Sequence, residues 1–358
     1  MGDERDLAVT NPFSHQTLRR EARSSFGAFA GIVSPRVRER HGPGRWWSFA
    51  RAMFFRLSPV RRVILLFALA LLVSFLVMPG SGEPWPAMNR VLLSAACLLL
   101  LLALELADRV ALKRDLEVAR EIQNWLVPRV PPQVPGLDIA FRTRPANTVA
   151  GDYYDVLRLP QSMEESSGAL LLVVADVAGK GIPSGLLMAG FRSCLHTLAG
   201  SGCSFHDLVA QLQIFCAADS DEGRHFTSAF LATYAPGMRT LLYVNAGHNP
   251  PFLRRSSGKV DLLEAGGVPF GIFPHAQYEF RSIRMDPGDL LLVYTDGVVE
   301  AVNEAGEEYG SERLSRLVTG ARATSAEIQT QVFASVDAFA SGASQFDDVT
   351  TLVVQWGA

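Results

Sequence analysis

Four aspartates stand beside short apolar runs in this chain of 358 residues: Asp152 in GDYYDV, Asp176 in LLLVVADVAGKG, Asp296 in DLLLVYTDG and Asp347 in FDDVTTLVV. Leu171 to Ala175 and Leu290 to Tyr294 are branched and apolar, and each closes on an Asp followed by small turn residues. That is the pattern of a core strand whose end presents a carboxylate. Asp347 precedes a third run, Val349 to Val354, and joins the others at one sheet end if that strand runs antiparallel to them. Two carboxylates ~4 Å apart repel by roughly 4 kcal/mol at an effective dielectric of 20, so four together must hold protons or cations. The donors are hard oxygens with no companion His or Cys, which favours Mg²⁺ or Mn²⁺ over Zn²⁺. Two such ions sharing a bridging carboxylate can generate a hydroxide and clamp a phosphoryl oxygen, the chemistry of phosphate ester hydrolysis without a protein nucleophile. One Asp alone in such a position is more often a turn residue capping local backbone.

The elements that must carry these residues follow from the pattern after Pro128, Pro131, Pro132 and Pro135. Strands are expected at 137–142, 156–159, 170–175, 229–234, 241–245, 252–254, 260–263, 280–283, 289–294 and 350–355, and helices at 185–198, 205–217, 312–318 and 325–339. Runs of strands at hairpin-like spacing, with helices grouped before and after a middle meander, predict an α+β sandwich rather than a βαβ repeat.

Upstream the composition changes. The chain is 48% hydrophobic and 19% charged, and the excess of hydrophobes is local. Val63 to Met78 and Val91 to Leu104 are uncharged apolar runs separated by Gly80, Gly82, Pro84 and Pro86. Each falls short of the ~20 residues that span a bilayer comfortably, so a spanning pair extends into Trp85 and Met88, the alternative being a re-entrant pair. Arg61 and Arg62 precede the first run, and Arg109, Lys113 and Arg114 follow the second, which places both termini on the cytoplasmic side of an inner membrane. The segment with Trp46, Trp47, Arg51 and Arg56 reads either as an interfacial amphipathic helix or as the entry to the first span. A net charge of −3, with the basic residues next to the apolar runs, gives no support to nucleic-acid binding. Cys97, Cys194, Cys203 and Cys216 lack CxxC spacing and read as reduced thiols. The expected organisation is a basic tail over 1–62, two transmembrane helices over 63–104, a linker helix over 105–130 and a catalytic domain over 131–358. Apolar residues in the linker helix, from Val110 to Leu126, suit either packing on the following domain or homodimerisation as a short coiled coil.

Eight ordered segments carry a resemblance. They are AREIQNWLVP at 119–128, PANTVAGDYYDV at 145–156, ADVAGKGIPSGLLMA at 175–189, FTSAFLATY at 226–234, NAGHNPP at 245–251, GGVPFGI at 266–272, PGDLLLVYTDGVVEAVNEAGEEYG at 287–310 and DDVTTLVV at 347–354. Together they make residues 119–356 resemble the metal-dependent, protein phosphatase 2C-like superfamily in its SpoIIE/RsbU-type bacterial branch. The resemblance implies two stacked, mainly antiparallel sheets flanked by helices, an α-β-β-α sandwich with the active site at one end. It matches Asp176 to the carboxylate bridging two Mn²⁺ or Mg²⁺ ions, the Val177 carbonyl to the ligand beside it, Asp152 to the acidic residue of the first motif, and Asp296 and Asp347 to ligands on the second metal's side. Asp155 is implied to stand behind the ligands, and Asp348 to orient its neighbour or bond through water.

The same resemblance implies a membrane-tethered protein serine/threonine phosphatase acting on a small phosphoprotein, among which anti-anti-sigma (STAS-type) regulators are frequent. The general acid is unassigned, because the sequence runs Asp176-Val177-Ala178 where eukaryotic relatives place a His. His248 is a candidate, although a loop His more often serves structure. Gly179-Lys180-Gly181 lacks the GxxxxGK[ST] spacing of a nucleotide loop, and its lysine is either a phosphate contact or a solvated side chain. A catalytically silent scaffold with this fold, and a hydrolase of small phosphoesters, are the competing readings.

Overall fold

The computed structural model describes residues 51, 54, 55, 57–77, 84–160, 168–221, 223–264 and 266–357. The expected basic tail before residue 51 and the turn holding Gly80 and Gly82 lie outside these. The chain divides into two compact units, residues 1–111 and 112–358.

In the first unit, α1 (Pro59–Val77) lies antiparallel to the early turns of α2 (Pro84–Leu126). The Ser94 hydroxyl donates to the Ala68 carbonyl at 2.9 Å, and small residues there let the backbones approach closely. Arg90 donates to the Ser74 hydroxyl at 3.0 Å towards one end, and Arg61 pairs with Glu105 at 3.3 Å and Asp108 at 2.7 Å at the other. Both helices are long and apolar enough to cross a membrane, with hydropathy of 2.4 and 2.2, and Val63, Leu66, Phe67, Leu99 and Leu100 face outward. Helix α2 continues unbroken to Leu126, so the second apolar run and the expected linker are one helix.

The second unit holds ten strands: β1 (Leu137–Arg144), β2 (Asp152–Arg158), β3 (Leu170–Val177), β4 (Thr227–Ala235), β5 (Thr240–Ala246), β6 (Phe252–Arg254), β7 (Val260–Leu262), β8 (Arg281–Arg284), β9 (Leu290–Tyr294) and β10 (Val349–Trp356). They form two five-stranded sheets, ordered β1-β10-β9-β6-β7 and β2-β3-β4-β5-β8, and every pairing is antiparallel. Helices α3 (Ile182–Ser201) and α4 (Phe205–Ala218) cover the second sheet; the short α5 (Asp296–Val299) follows β9; α6 (Ser311–Gly320) and α7 (Ser325–Ala340) cover the first. The expected α-β-β-α sandwich is the observed architecture.

Three apolar layers result, and strand parity assigns each residue to one. Along β3, Leu171, Val173, Ala175 and Val177 pack towards α3 and α4, while Leu170, Leu172 and Val174 pack between the sheets. Both faces are therefore buried, which explains why the run is continuously apolar instead of alternating. Asp176 is next in the inter-sheet series, at the strand's end. The same count in β2 sets Tyr154 and Val156 between the sheets and Tyr153 against the helices, so Asp152 falls on the inter-sheet side. Strand β2 begins at Asp152, four residues before the expected start at Val156, because Tyr153 and Tyr154 each fill a buried layer. Helix α3 begins at Ile182, earlier than expected, with Pro183 in its first turn where a missing N–H costs nothing.

Gly297 closes the turn from β9 into α5, and a Cβ there would overlap the Asp348 carbonyl. Gly297→Ala is expected to lower stability by about 1–3 kcal/mol, since backbone must move. Gly320→Ala, at a helical glycine with nothing near its would-be Cβ, should be neutral or stabilising by up to ~1 kcal/mol. Thermal unfolding of the two variants checks both.

Candidate active site

The inter-sheet layer stops being apolar at one end, and the sequence-predicted aspartates gather there. Asp152, at the start of β2, is directly opposite Asp176, near the end of β3. Thr295, Asp296 and Asp348 come from the facing sheet, where β9 ends and β10 begins antiparallel to it. The condition set by the sequence for Asp347 is thus met.

Cross-sheet hydrogen bonds pin this end. The Thr295 hydroxyl donates to Asp152 Oδ2 at 2.8 Å and accepts from the Thr350 N–H at 3.1 Å. Asp348 uses both carboxylate oxygens on backbone: it accepts from Ala146 N–H and from Gly151 N–H, each at 2.7 Å. It therefore fastens the loop before Asp152, a sharper role than orienting its neighbour. Gly151 leaves room beside the Val177 carbonyl, to which an added Cβ would come within 2.9 Å, and beside the Asp176 carboxylate at 3.6 Å. The Val177 carbonyl thus lies against this loop.

A second clamp holds the same loop from α2. Gln123 is buried; its Nε2 donates to the Ala150 carbonyl at 2.7 Å and its Oε1 accepts from the Ala150 N–H at 2.9 Å. Gly185 of α3 lies in the same contact, since a Cβ there would strike Val149 and come near Ala150 and Gln123. Sequence reasoning missed Gln123, Thr295 and Thr350. In the sequence Gln123 is one of two adjacent amides, with Asn124, between Ile122 and Leu126 in the AREIQNWLVP segment.

Asp155 stands apart. It lies on the helix-facing side of β2, accepts from the Tyr153 hydroxyl at 2.6 Å and pairs with His196 of α3 at 2.8 Å. The expectation that it backs the ligands is corrected by parity: three residues from Asp152, it must point the other way. His248 is 4% exposed, with Nδ1 3.0 Å from the Ser228 hydroxyl, and burial pushes its pKa down to about 4. Burial thus favours its neutral form and argues against a role as proton donor.

Electrostatics identify what the site needs. Burial first, then repulsion from Asp296, Asp347 and Asp348, pushes Asp176 up to about 7. Burial, with Glu300 and Asp347, pushes Asp296 up to about 6. Asp152 is raised well above the usual carboxylate range by burial and then by Asp176 and Asp348. Among the described residues, no three His, Cys, Asp or Glu side chains converge as a ready-made metal cage. Their oxygens are engaged: Asp348 on two amides, Asp152 on Thr295, Asp347 on Lys180 at 2.8 Å and on its neighbour's N–H at 3.0 Å. The donor set nevertheless fits a hard divalent cation in chemistry, being all oxygen, clustered and short of positive charge.

Residues 166–357 match the family described as stage II sporulation protein E (SpoIIE). Protein IcfG of Synechocystis sp. is 28% identical over 280 residues, covering 71% of this chain and 43% of that protein. The phosphoserine phosphatase RsbU of Bacillus subtilis is 29% identical over 196 residues, 54% of this chain and 56% of its own length. This chain thus spans about half the length of the curated relatives it matches. Among solved structures, the SiaA-PP2C domain of Pseudomonas aeruginosa superposes with a TM-score of 0.61 at 19% identity, covering 70% of this chain and 99% of that one. The RsbU and RsbW domains of Rv1364c from Mycobacterium tuberculosis give 0.54 at 25% identity, covering 65% and 63%.

Two measurements test the site. Carboxylates with raised pKa bind more protons folded than unfolded, so in chelator the stability that Asp296 and Asp176 contribute is full below about pH 4 and is lost as pH rises through about 6 to 7. Melting temperatures between pH 4 and 8 should show this fall, and Asp176→Asn should flatten it. Gln123→Ala leaves two buried backbone groups of Ala150 without partners and should cost about 1–3 kcal/mol. Faster hydrogen exchange across 146–152 would locate that loss in the loop.

Proposed function

Because the chain belongs to the SpoIIE family, we propose that it is a membrane-tethered, metal-dependent protein serine/threonine phosphatase acting on a small signalling phosphoprotein. The observation that carries this reading is the meeting of Asp152 and Asp176 across β2 and β3, with Asp296 beside them from the opposite sheet. A phosphoserine side chain as substrate is supported by the name of the RsbU relative. An anti-anti-sigma (STAS-type) regulator is the substrate class that the motifs imply.

Asp176, with the Val177 carbonyl, Asp152, Asp296 and Asp347 would hold two Mn²⁺ or Mg²⁺ ions. Such ions supply positive charge to phosphoryl oxygens and lower the pKa of attacking water. The rest is done by the chain. Thr295 orients Asp152 through its hydroxyl, and Asp348 and Gln123 keep Gly151 close to Asp176 from two sides. The apolar inter-sheet layer beneath these carboxylates excludes water, so charge there acts through a low dielectric.

Tethering rests on α1 and α2, which suit a multi-pass inner-membrane anchor with the catalytic unit on the cytoplasmic side. Helix α2 runs unbroken from its apolar segment to Gln123, so a change in its packing, including dimer packing, would reach the Asp152 loop through Ala150.

The test is phosphate release by the 358-residue chain in detergent, from a phosphoserine protein and from para-nitrophenyl phosphate, with Mn²⁺, with Mg²⁺ and with chelator. Turnover of the phosphoprotein should vanish in chelator and fall by roughly 10²-fold or more in Asp176→Asn. No metal-dependent turnover on either compound would point instead to a silent scaffold, and turnover of the small ester alone to a phosphoesterase.

A further inference from the structure

Lys180 occupies the turn between β3 and α3, flanked by Gly179 at φ 113° and Gly181 at φ 78°, angles that side chains rarely adopt. Between the two glycines the turn presents one side chain, and it is a cation. Its ammonium donates to the Phe346 carbonyl at 2.7 Å and pairs with the Asp347 carboxylate at 2.8 Å, within the fields of Asp296 and Asp348. Even so, the side chain is 56% exposed. Arg144, another cation near this loop, is already engaged by Gln345 at 2.7 Å and Asp337 at 2.5 Å.

Asp347 cannot give its oxygens fully to an ammonium and to a divalent cation at once. A metal taken by that carboxylate must weaken the hold on Lys180, whose flexible four-carbon stem then keeps the charge at the rim. A phosphoserine dianion approaching the same carboxylates meets strong repulsion unless a cation faces it, and a lysine ammonium binds phosphate as a point charge. We propose that Lys180 binds the phosphate of the incoming phosphoserine, and that its ion pair with Asp347 competes with divalent-cation binding there. This rests on the phosphatase reading above and adds to it the residue that recognises the reacting group.

The two halves of the proposal move in opposite directions in one variant. In the whole 358-residue chain carrying Lys180→Gln, calorimetry should show Mn²⁺ binding tightened by roughly threefold or more, because the competing ammonium is gone. In the same protein, KM for the phosphoprotein and the inhibition constant of inorganic phosphate should both rise by roughly tenfold. Lys180→Arg, which keeps the charge, should restore phosphate inhibition. A merely structural tie between the two loops would loosen both metal and phosphate binding together, or neither. The proposal is overturned if Lys180→Gln binds Mn²⁺ no more tightly than wild type, or if phosphate inhibition is unchanged. A wild-type protein that turns over no phosphoprotein overturns the phosphatase reading and this assignment together; wild-type turnover with unaltered phosphate inhibition in the variant overturns this assignment alone.

Discussion

Mutual repulsion among carboxylates at one end of an apolar sandwich is the constraint to which the surrounding structure answers. Asp152, Asp176 and Asp296 are each pushed towards protonation by burial and by neighbouring carboxylates. A cluster of this kind persists only where other interactions over-determine it. Here they are the cross-sheet bond from Thr295 to Asp152, the two amides held by Asp348, and the ammonium of Lys180 on Asp347. Each binds a loop as well as a charge, so electrostatic relief and loop geometry come from the same atoms.

The loop before Asp152 shows how closely those tasks are joined. It has no regular structure from Pro145 to Gly151, yet Asp348 grips it at Ala146 and Gly151, and Gln123 grips it at Ala150. The first grip comes from the start of β10 and the second from α2, the helix that begins in the apolar hairpin. One short stretch of backbone is therefore held both from β10 and from the last turns of α2. Glycines make the closeness possible: Gly151 beside the Val177 carbonyl, and Gly185 beneath Val149.

Much of this was legible beforehand. The sandwich, its antiparallel sheets and nearly all its strands follow from apolar runs and turn residues, because burial on two faces leaves a strong compositional trace. The gathering of Asp152, Asp176 and Asp296 followed from their positions beside those runs. Asp155 did not, because its face depends on where β2 begins, and the two tyrosines that precede it disguised four strand residues as loop. Asp348 was placed too loosely for a different reason. Whether a carboxylate binds a cation or a backbone amide depends on partners some 200 positions away in the chain.

What the sequence by itself determined is the kind of chemistry: hard oxygen donors at strand ends, an apolar core to shield them, and two helices apolar enough for a membrane. These depend on residue type and period, which are local. Only the tertiary structure decided which carboxylates face the gap between the sheets, which serve as clamps, that Gln123 holds the Ala150 backbone, and that Lys180 pairs with Asp347. Those assignments turn on strand parity and on hydrogen bonds between distant segments, and neither exists until the sheets have stacked.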